Sequence, residues 1–175
     1  MSRPEFHPLQ AEEIARAFNE AGVEYLFLGK SGAILLGYPG AMQGVEVFPA
    51  RTAENGRRIA QALRGLGFEV GAALEAEMVA GKDFVQIKTG LFDVDLVFAP
   101  DGINSFAEAQ ARGVTVGIFR VASLRDIIAS KRASGRQKDI IELPLLESFR
   151  TEYEKRSATP LRSASDIARD RTDKK

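Results

Sequence analysis

Residues 23–48 read VEYLFLGKSGAILLGYPGAMQGVEVF, in which two apolar runs flank a glycine-rich segment. The run at 23–28 predicts a buried strand, and the alternating run at 44–48 predicts a second one. Between them, residues 31–37 predict a short apolar helix or turn, which the sequence Gly-Tyr-Pro-Gly ends. This unit of strand, glycine turn, short helix and strand is the part of the chain that decides its fold.

The Gly-Lys-Ser sequence at residues 29–31 has the order of a phosphate-binding loop, in which a strand leads through a glycine turn into a helix. A P-loop requires G-x-x-x-x-G-K-S/T, and the first glycine of that pattern falls at Glu24. The residues before Gly29 are also strand-like, which argues against a P-loop and favours a plain turn with Ser31 as the helix N-cap. Weaker anion binding by Gly29, Lys30 and Ser31 stays open.

The composition limits the classes of function that the chain can carry. Its 175 residues contain 24 Lys plus Arg and 24 Asp plus Glu, so no net charge favours bulk nucleic-acid binding. Cysteine is absent and His7 is the single histidine, which excludes a Cys nucleophile, a His-based triad and a multi-His metal site. No apolar run reaches the roughly 20 residues of a membrane span, and no signal-peptide core is present, so we expect a cytoplasmic protein that binds no membrane.

The remaining segments alternate between helical and extended patterns. Helices are predicted at residues 9–21, 52–66, 104–111, 122–134 and 137–155. Extended segments are predicted at residues 83–89, 91–98 and 114–120. Gly90, between the first two of these, predicts a hairpin. The order predicts an α/β (α+β) fold, a mixed sheet flanked by helices with the C-terminal helices packed on it.

The length of the chain predicts one domain with a core of its own. We place that domain at residues 1–156. Residues 157–175 are charged, contain serine and have almost no large apolar side chains, which is typical of a disordered tail. Residues 68–80 follow no clear period, and their structure is not predicted.

Three acidic residues on two predicted strands are candidates for chemistry. Asp93 and Asp95 alternate on one strand, so both side chains point to the same face of the sheet. One interpretation is a solvated edge, and the other is a functional site, since the flanking residues are apolar as in an interior strand. Glu46 is a third acid on another strand. Two strands that offer carboxylates to one cleft could hold Mg²⁺, which prefers oxygen ligands.

A basic cluster surrounds Gly135, formed by Lys131, Arg132, Arg136 and Lys138. Cations are common at a solvated helix end, where they interact favourably with the helix dipole. The other interpretation is a contact with a triphosphate or with a partner, across a cleft from the acidic residues. The pattern alone leaves both open.

The spacing of these features resembles a known family. The segments that carry the resemblance are VEYLFLGKSGAILLGYPGAMQGVEVFPA, ENGRRIAQALRGLGF, FDVDLV and SLRDIIASKRASGRQKD. Together they cover about residues 9–150 and are similar to the nucleotidyltransferase-fold superfamily, in particular to its minimal and AbiEii toxin-like type. The resemblance implies three carboxylates that hold two Mg²⁺ ions, and a nucleoside triphosphate that a hydroxyl attacks at the α-phosphorus with release of pyrophosphate.

Several positions of the family's pattern are retained. Gly29 matches the first glycine of the turn after the first strand. Asp95 fits the third metal-binding Asp, with Asp93 as its neighbour on the same face. The residues kept near the C-terminal turn are Lys131, Arg136 and Asp139. The resemblance therefore implies that Lys131 and Arg136, with Lys138 beside them, contact the ligand.

Other positions depart from the pattern, and they fall on the cleft. Lys30 stands at the second glycine of the turn, while Gly44 and Glu46 replace the two residues of the Asp-x-Asp motif. Further departures are Gly32 for Ala, Leu36 for His, Gly40 for Arg and Met42 for Thr. The frame of the fold survives while the cleft changes, which indicates a relaxed or redirected function.

Three functions follow from this comparison. The first is a catalytically impaired relative that retains a nucleotide or another anion near Lys30, or that acts through a protein partner, with no cofactor needed. The second is an active enzyme in which Glu46, Asp93 and Asp95 bind Mg²⁺ and a nucleoside monophosphate is transferred to a protein, RNA or small-molecule hydroxyl. The third is a component of a bacterial toxin–antitoxin pair.

Overall fold

A computed structural model describes residues 9–41, 43–88, 90 and 92–158. The helices in these ranges are α1 (Leu9–Ala21), α2 (Gly29–Leu35), α3 (Ala53–Gly65), α4 (Ala72–Ala80), α5 (Phe106–Arg112), α6 (Leu124–Ser134) and α7 (Gln137–Ala158). The strands are β1 (Tyr25–Phe27), β2 (Gly44–Pro49), β3 (Phe84–Ile87), β4 (Asp93–Val97), β5 (Val114–Val116) and β6 (Phe119–Val121). Met42 lies outside the described residues, as does nearly all of the predicted tail at 157–175, so the domain division stays a prediction.

The strands form one mixed sheet in the order β3-β4-β2-β1-β6-β5. Strand β2 is parallel to β4 and antiparallel to β1, and β1 is parallel to β6. The two outer pairs, β3 with β4 and β5 with β6, are antiparallel. The predicted α/β class with a mixed sheet is confirmed. This order places β2 and β4, the two strands with acidic residues, side by side in the sheet.

Helix α3 begins as the sequence predicts, and one of its residues also connects three segments. The Thr52 hydroxyl caps the helix by accepting a hydrogen bond from the Asn55 backbone N–H at 3.1 Å. The buried Asn55 side chain accepts from the Glu24 N–H and donates to the Glu24 and Ala50 carbonyls, each at 2.9 Å. Asn55 thereby fixes the start of α3 against the entrance of β1 and the end of β2.

Two segments differ from the prediction. The run at 114–120 is not one strand but a hairpin of β5 and β6, because Gly117 adopts a left-handed conformation with φ of 57° and turns the chain. The unassigned residues 68–80 contain α4, in which Met78 is the buried residue. The helix lacked a clear period because so few of its side chains face the core.

Helix α6 contacts both α2 and α7, and its buried side chains belong to the core that the strands also form. Leu146 of α7 is buried in the same core as Ile127 and Ile128 of α6. None of the helices in the described part of the chain combines the length with the apolar character needed to cross a bilayer.

Candidate phosphate-binding cleft

The acidic positions of β2 and β4 are neighbours in a parallel ladder. Gly44 is in register with Asp93, and Glu46 is in register with Asp95. Residues in register, and residues two apart on one strand, point to the same face of a sheet. Glu46, Asp93 and Asp95 therefore share one face, and the position beside Asp93 carries no side chain.

The Glu46 side chain lies against Gly29 at the beginning of α2. Gly29 has a φ of 61°, and a Cβ built on it would overlap Glu46 Oε2. Burial raises the pKa of the Glu46 carboxyl, the charge of Asp95 raises it further, and Lys131 and Arg136 partly offset this. The position thus needs glycine both for its backbone conformation and for the acid packed on it.

Ser31 attaches α2 to β2. Its buried hydroxyl donates to the Leu28 carbonyl at 2.8 Å and accepts from the Glu46 N–H at 3.1 Å. The prediction that Ser31 is the N-cap is wrong, because α2 already begins at Gly29 and Leu28 holds the cap position. Ser31 supports the cleft by fixing the backbone that carries Glu46.

Asp95 has one buried carboxylate oxygen, Oδ1. In the described part of the chain, no hydrogen-bond donor reaches its Oδ1. Burial raises the pKa of this carboxyl; a hydrogen bond from Gln86 lowers it, and the charge of Asp93 raises it. A carboxylate with a raised pKa suits a proton acceptor. Asp93 itself is exposed at the first position of β4.

The basic residues of the C-terminal helices are organised around Asp139. Its buried carboxylate accepts hydrogen bonds from Ser134 Oγ at 2.7 Å and Arg136 Nε at 2.8 Å, and Lys131 Nζ lies at 3.3 Å. Burial alone raises the pKa of Asp139, but the hydrogen bonds and the two cations outweigh it, so the pKa is lowered. At neutral pH Asp139 is therefore an anion that holds Lys131 and Arg136 in position.

Glu142 joins the basic residues of two helices. Its Oε2 lies 3.0 Å from Lys131 Nζ, and its Oε1 lies 3.5 Å from Lys30 Nζ. Burial raises the pKa of Glu142, while the hydrogen bond from Lys131 and the charges of both lysines lower it below its ordinary value. Lys30 of α2 and Lys131 of α6 thus converge on one carboxylate of α7.

These side chains line a cleft of about 430 Å³. From the predicted site, the lining includes Gly29, Lys30, Ser31, Glu46, Lys131, Arg136 and Lys138. Asp93 and Asp95 are not among its lining residues. Sequence reasoning missed Ser134 and Glu142, although Ser134 follows Lys131 by three residues and Glu142 follows Asp139 by three, which is the spacing of one helical face.

The donor set does not fit the metal centre that the resemblance implies. The described residues contain no group of three or more His, Cys, Asp or Glu side chains placed to hold a metal ion. Gly44 supplies no carboxylate, and a Cβ there would lie 2.5 Å from the Asp93 carbonyl oxygen. The Glu46 carboxylate is packed on Gly29. The catalytic and metal-binding roles of Glu46, Asp93 and Asp95 stay predictions.

The mixed sheet, with β2 and β4 adjacent and a glycine turn after β1, defines a nucleotidyltransferase-like fold. The crystal structure of ANT(2'')-Ia in complex with adenylyl-2''-tobramycin is similar to it, with a TM-score of 0.51. The match covers 84% of this chain and 96% of that chain at 17% sequence identity, a level at which the likeness shows the fold alone. No protein-family model and no curated protein sequence matches the chain. The AbiEii-like assignment therefore stays a prediction.

Proposed function

We propose that the chain is a nucleotidyltransferase-like protein that binds the phosphates of a nucleotide in the cleft of α2, α6 and α7 and has lost most of its transfer activity. The observation that carries the proposal is the convergence of four cations, Lys30, Lys131, Arg136 and Lys138, on that cleft. Lysine and arginine side chains are the usual protein partners of phosphate oxygens. They come from separate elements of the fold, so the fold itself assembles the cationic surface.

The loss of activity follows from the acidic strand. Transfer of a phosphoryl-linked group depends on the placement of charge, so the position of each carboxylate sets the rate. Gly44 offers no oxygen, and the longer Glu46 directs its carboxylate onto Gly29. A misplacement of about 1 Å costs about a hundredfold in rate, and a missing carboxylate costs more.

Calorimetric titration with each of the four nucleoside triphosphates tests binding. We expect heat of binding for the native chain and weaker binding for Lys30→Ala. Lys82→Ala is the matched control, because Lys82 is also a partly exposed lysine paired to one glutamate, Glu77, at 3.2 Å, and it does not line the cleft. Equal affinities of the native chain and Lys30→Ala, or no binding by either, would contradict the proposal.

Incubation with α-labelled nucleoside triphosphates, Mg²⁺ and protein, RNA or small-molecule acceptors tests the loss of activity. We expect label transfer to be absent or very slow. Rapid transfer would show that the chain is an active enzyme, which is the second candidate. Glu46 and Asp95 are in register, and one Asp95 oxygen has no partner among the described residues, which favours that candidate. It requires that Asp95→Asn abolish transfer while Asp83→Asn, at an exposed aspartate, does not.

The toxin–antitoxin role and the protein partner are proposals from the sequence resemblance. They predict that expression of the chain alone slows growth and that a small protein co-purifies with it. Normal growth together with a pure chain would remove this interpretation and leave the nucleotide-binding proposal unaffected.

A further inference from the structure

Among the described residues, four cationic side chains and three carboxylates line the cleft. The carboxylates that line it belong to Glu46, Asp139 and Glu142. Two of them are engaged in contacts within the fold. Glu46 packs on Gly29, and the buried Asp139 accepts hydrogen bonds from Ser134 and Arg136. Glu142 is the remaining one, on the wall formed by α7.

Glu142 shows where the cleft holds an anion. Its two oxygens lie against different lysines, Oε1 at 3.5 Å from Lys30 Nζ and Oε2 at 3.0 Å from Lys131 Nζ. A phosphate group presents the same kind of acceptor oxygens with more negative charge, so it competes for the same ammonium groups. Lys30 is the partner that is more easily released, because it is 40% exposed and its contact is the longer one.

Lys131 is held as a preorganised donor. Its side chain is only 11% exposed, and its ammonium lies 3.3 Å from the buried Asp139 carboxylate, a second partner besides Glu142. A fixed cation loses less conformational freedom on binding than a solvated one does. Arg136, just before α7, and Lys138, in the first turn of α7, also line the cleft.

Resting on the proposed function, we propose that the cleft binds a nucleotide's polyphosphate directly through its lysine and arginine side chains, without a divalent cation. The phosphate replaces Glu142 first on Lys30 and then on Lys131, which keeps Asp139 as a partner. The lysines thereby provide the positive charge that a metal centre supplies in a nucleotidyltransferase, in a cleft whose carboxylates do not fit that centre.

This arrangement reverses the expected effect of Mg²⁺. In a site built from carboxylates, Mg²⁺ bridges the acid and the phosphate and so strengthens binding. In a site built from ammonium and guanidinium groups, Mg²⁺ partly neutralises the phosphate and adds a like charge to the cleft, so binding weakens.

Calorimetric titration of the full chain with ATP and with inorganic tripolyphosphate, in excess EDTA and in excess Mg²⁺ at equal ionic strength, tests the proposal. We expect binding in EDTA that is at least about threefold tighter than in Mg²⁺, and a loss of about fivefold in EDTA for Lys30→Ala and for Lys138→Ala. Lys82→Ala should bind as the native chain does, and adenosine should bind far more weakly than ATP.

The outcomes separate this inference from the proposed function. Binding that requires Mg²⁺ would overturn the inference and leave nucleotide binding intact. Absence of binding in both conditions would overturn the two together. Equal affinity of ATP for the native chain, Lys30→Ala and Lys138→Ala would show that the phosphates lie elsewhere, and would also overturn the inference.

Discussion

Replacement of Glu142 by glutamine should tighten phosphate binding, because it removes the carboxylate that competes for Lys30 and Lys131. The pKa of Glu142 is held below its ordinary value, so this competitor is fully ionised at neutral pH. Glutamine keeps the shape of the side chain and removes the charge. Lys131 keeps Asp139 as a partner at 3.3 Å, so the substitution does not leave an unpaired buried cation.

The size of the gain in phosphate affinity can be worked out from the exposure of the two ion pairs that Glu142 makes with Lys131 and Lys30. The contact of Glu142 with Lys131 joins side chains that are 29% and 11% exposed, and such a partly exposed pair contributes about 1 kcal/mol. The contact with Lys30 is longer and more exposed and adds little. Removing the competition should therefore raise the affinity for tripolyphosphate by about five- to tenfold, and lower the free energy of unfolding by about 1 kcal/mol.

Titration calorimetry in EDTA and urea unfolding at pH 7 measure the two effects. Glu77→Gln is the control, since Glu77 pairs with a lysine, Lys82, but lies on α4 and does not line the cleft. The control should leave the affinity unchanged. An unchanged or weaker affinity for Glu142→Gln would refute the reasoning that Glu142 occupies the place of a phosphate.

Asp139→Asn should lower the free energy of unfolding and make it depend less on pH in the acid range. The pKa of Asp139 is lower in the folded state than in the unfolded state, so the unfolded state binds more protons. The stability that Asp139 contributes is therefore present above about pH 4 and is lost as the pH falls through the folded-state pKa. Urea titrations over a pH series test this, and parallel curves for both proteins would contradict it. Gly56→Ala should cost about 1–3 kcal/mol, because its Cβ would overlap a backbone carbonyl of α4, whereas Gly65→Ala on the same helix meets nothing within 4 Å and should stabilise by up to about 1 kcal/mol. Thermal unfolding ranks the two, and equal melting temperatures would refute the close approach of α3 and α4. The double variant Gly44→Asp, Glu46→Asp should show no transfer activity and a lower stability, because a Cβ at residue 44 would lie 2.5 Å from a carbonyl oxygen of β4. Rapid label transfer by this variant would contradict this and show that β2 and β4 move apart to accept the new side chain.

The parts of the fold that could be predicted from the sequence are those marked by the spacing of apolar residues and by glycines at turns. The buried run before Gly29 and the alternating run after it gave β1 and β2, and the acidic residues of β4 alternate as a strand requires. The hairpin of β5 and β6 was missed, because mostly apolar residues continue on both sides of Gly117 as in one strand, while the backbone reverses there. A period describes the faces of an element but not a reversal in its direction.

The site was predictable on its basic side and less so on its acidic side. Lys131, Arg136 and Lys138 are close in sequence, so the short turn at Gly135 between α6 and α7 brings them to the same cleft. The contact between Glu46 and Gly29 depends on how β2 pairs with β1, which no local pattern reports. Glu142 was missed because a glutamate on a charged helix is usually solvated, and only the packing of α7 on α6 brings it to Lys30.

Because Glu46 packs on Gly29, substitutions at these two positions depend on each other. Any side chain at residue 29 would have to displace the acid, and a residue larger than glutamate at 46 would press on α2. An aspartate at 46 is shorter by one methylene and would draw the carboxylate away from the glycine. Among descendants of this chain, we therefore expect residue 29 to remain glycine for as long as residue 46 remains glutamate. A change to aspartate at residue 46 would be the first step of any route to an acidic metal centre.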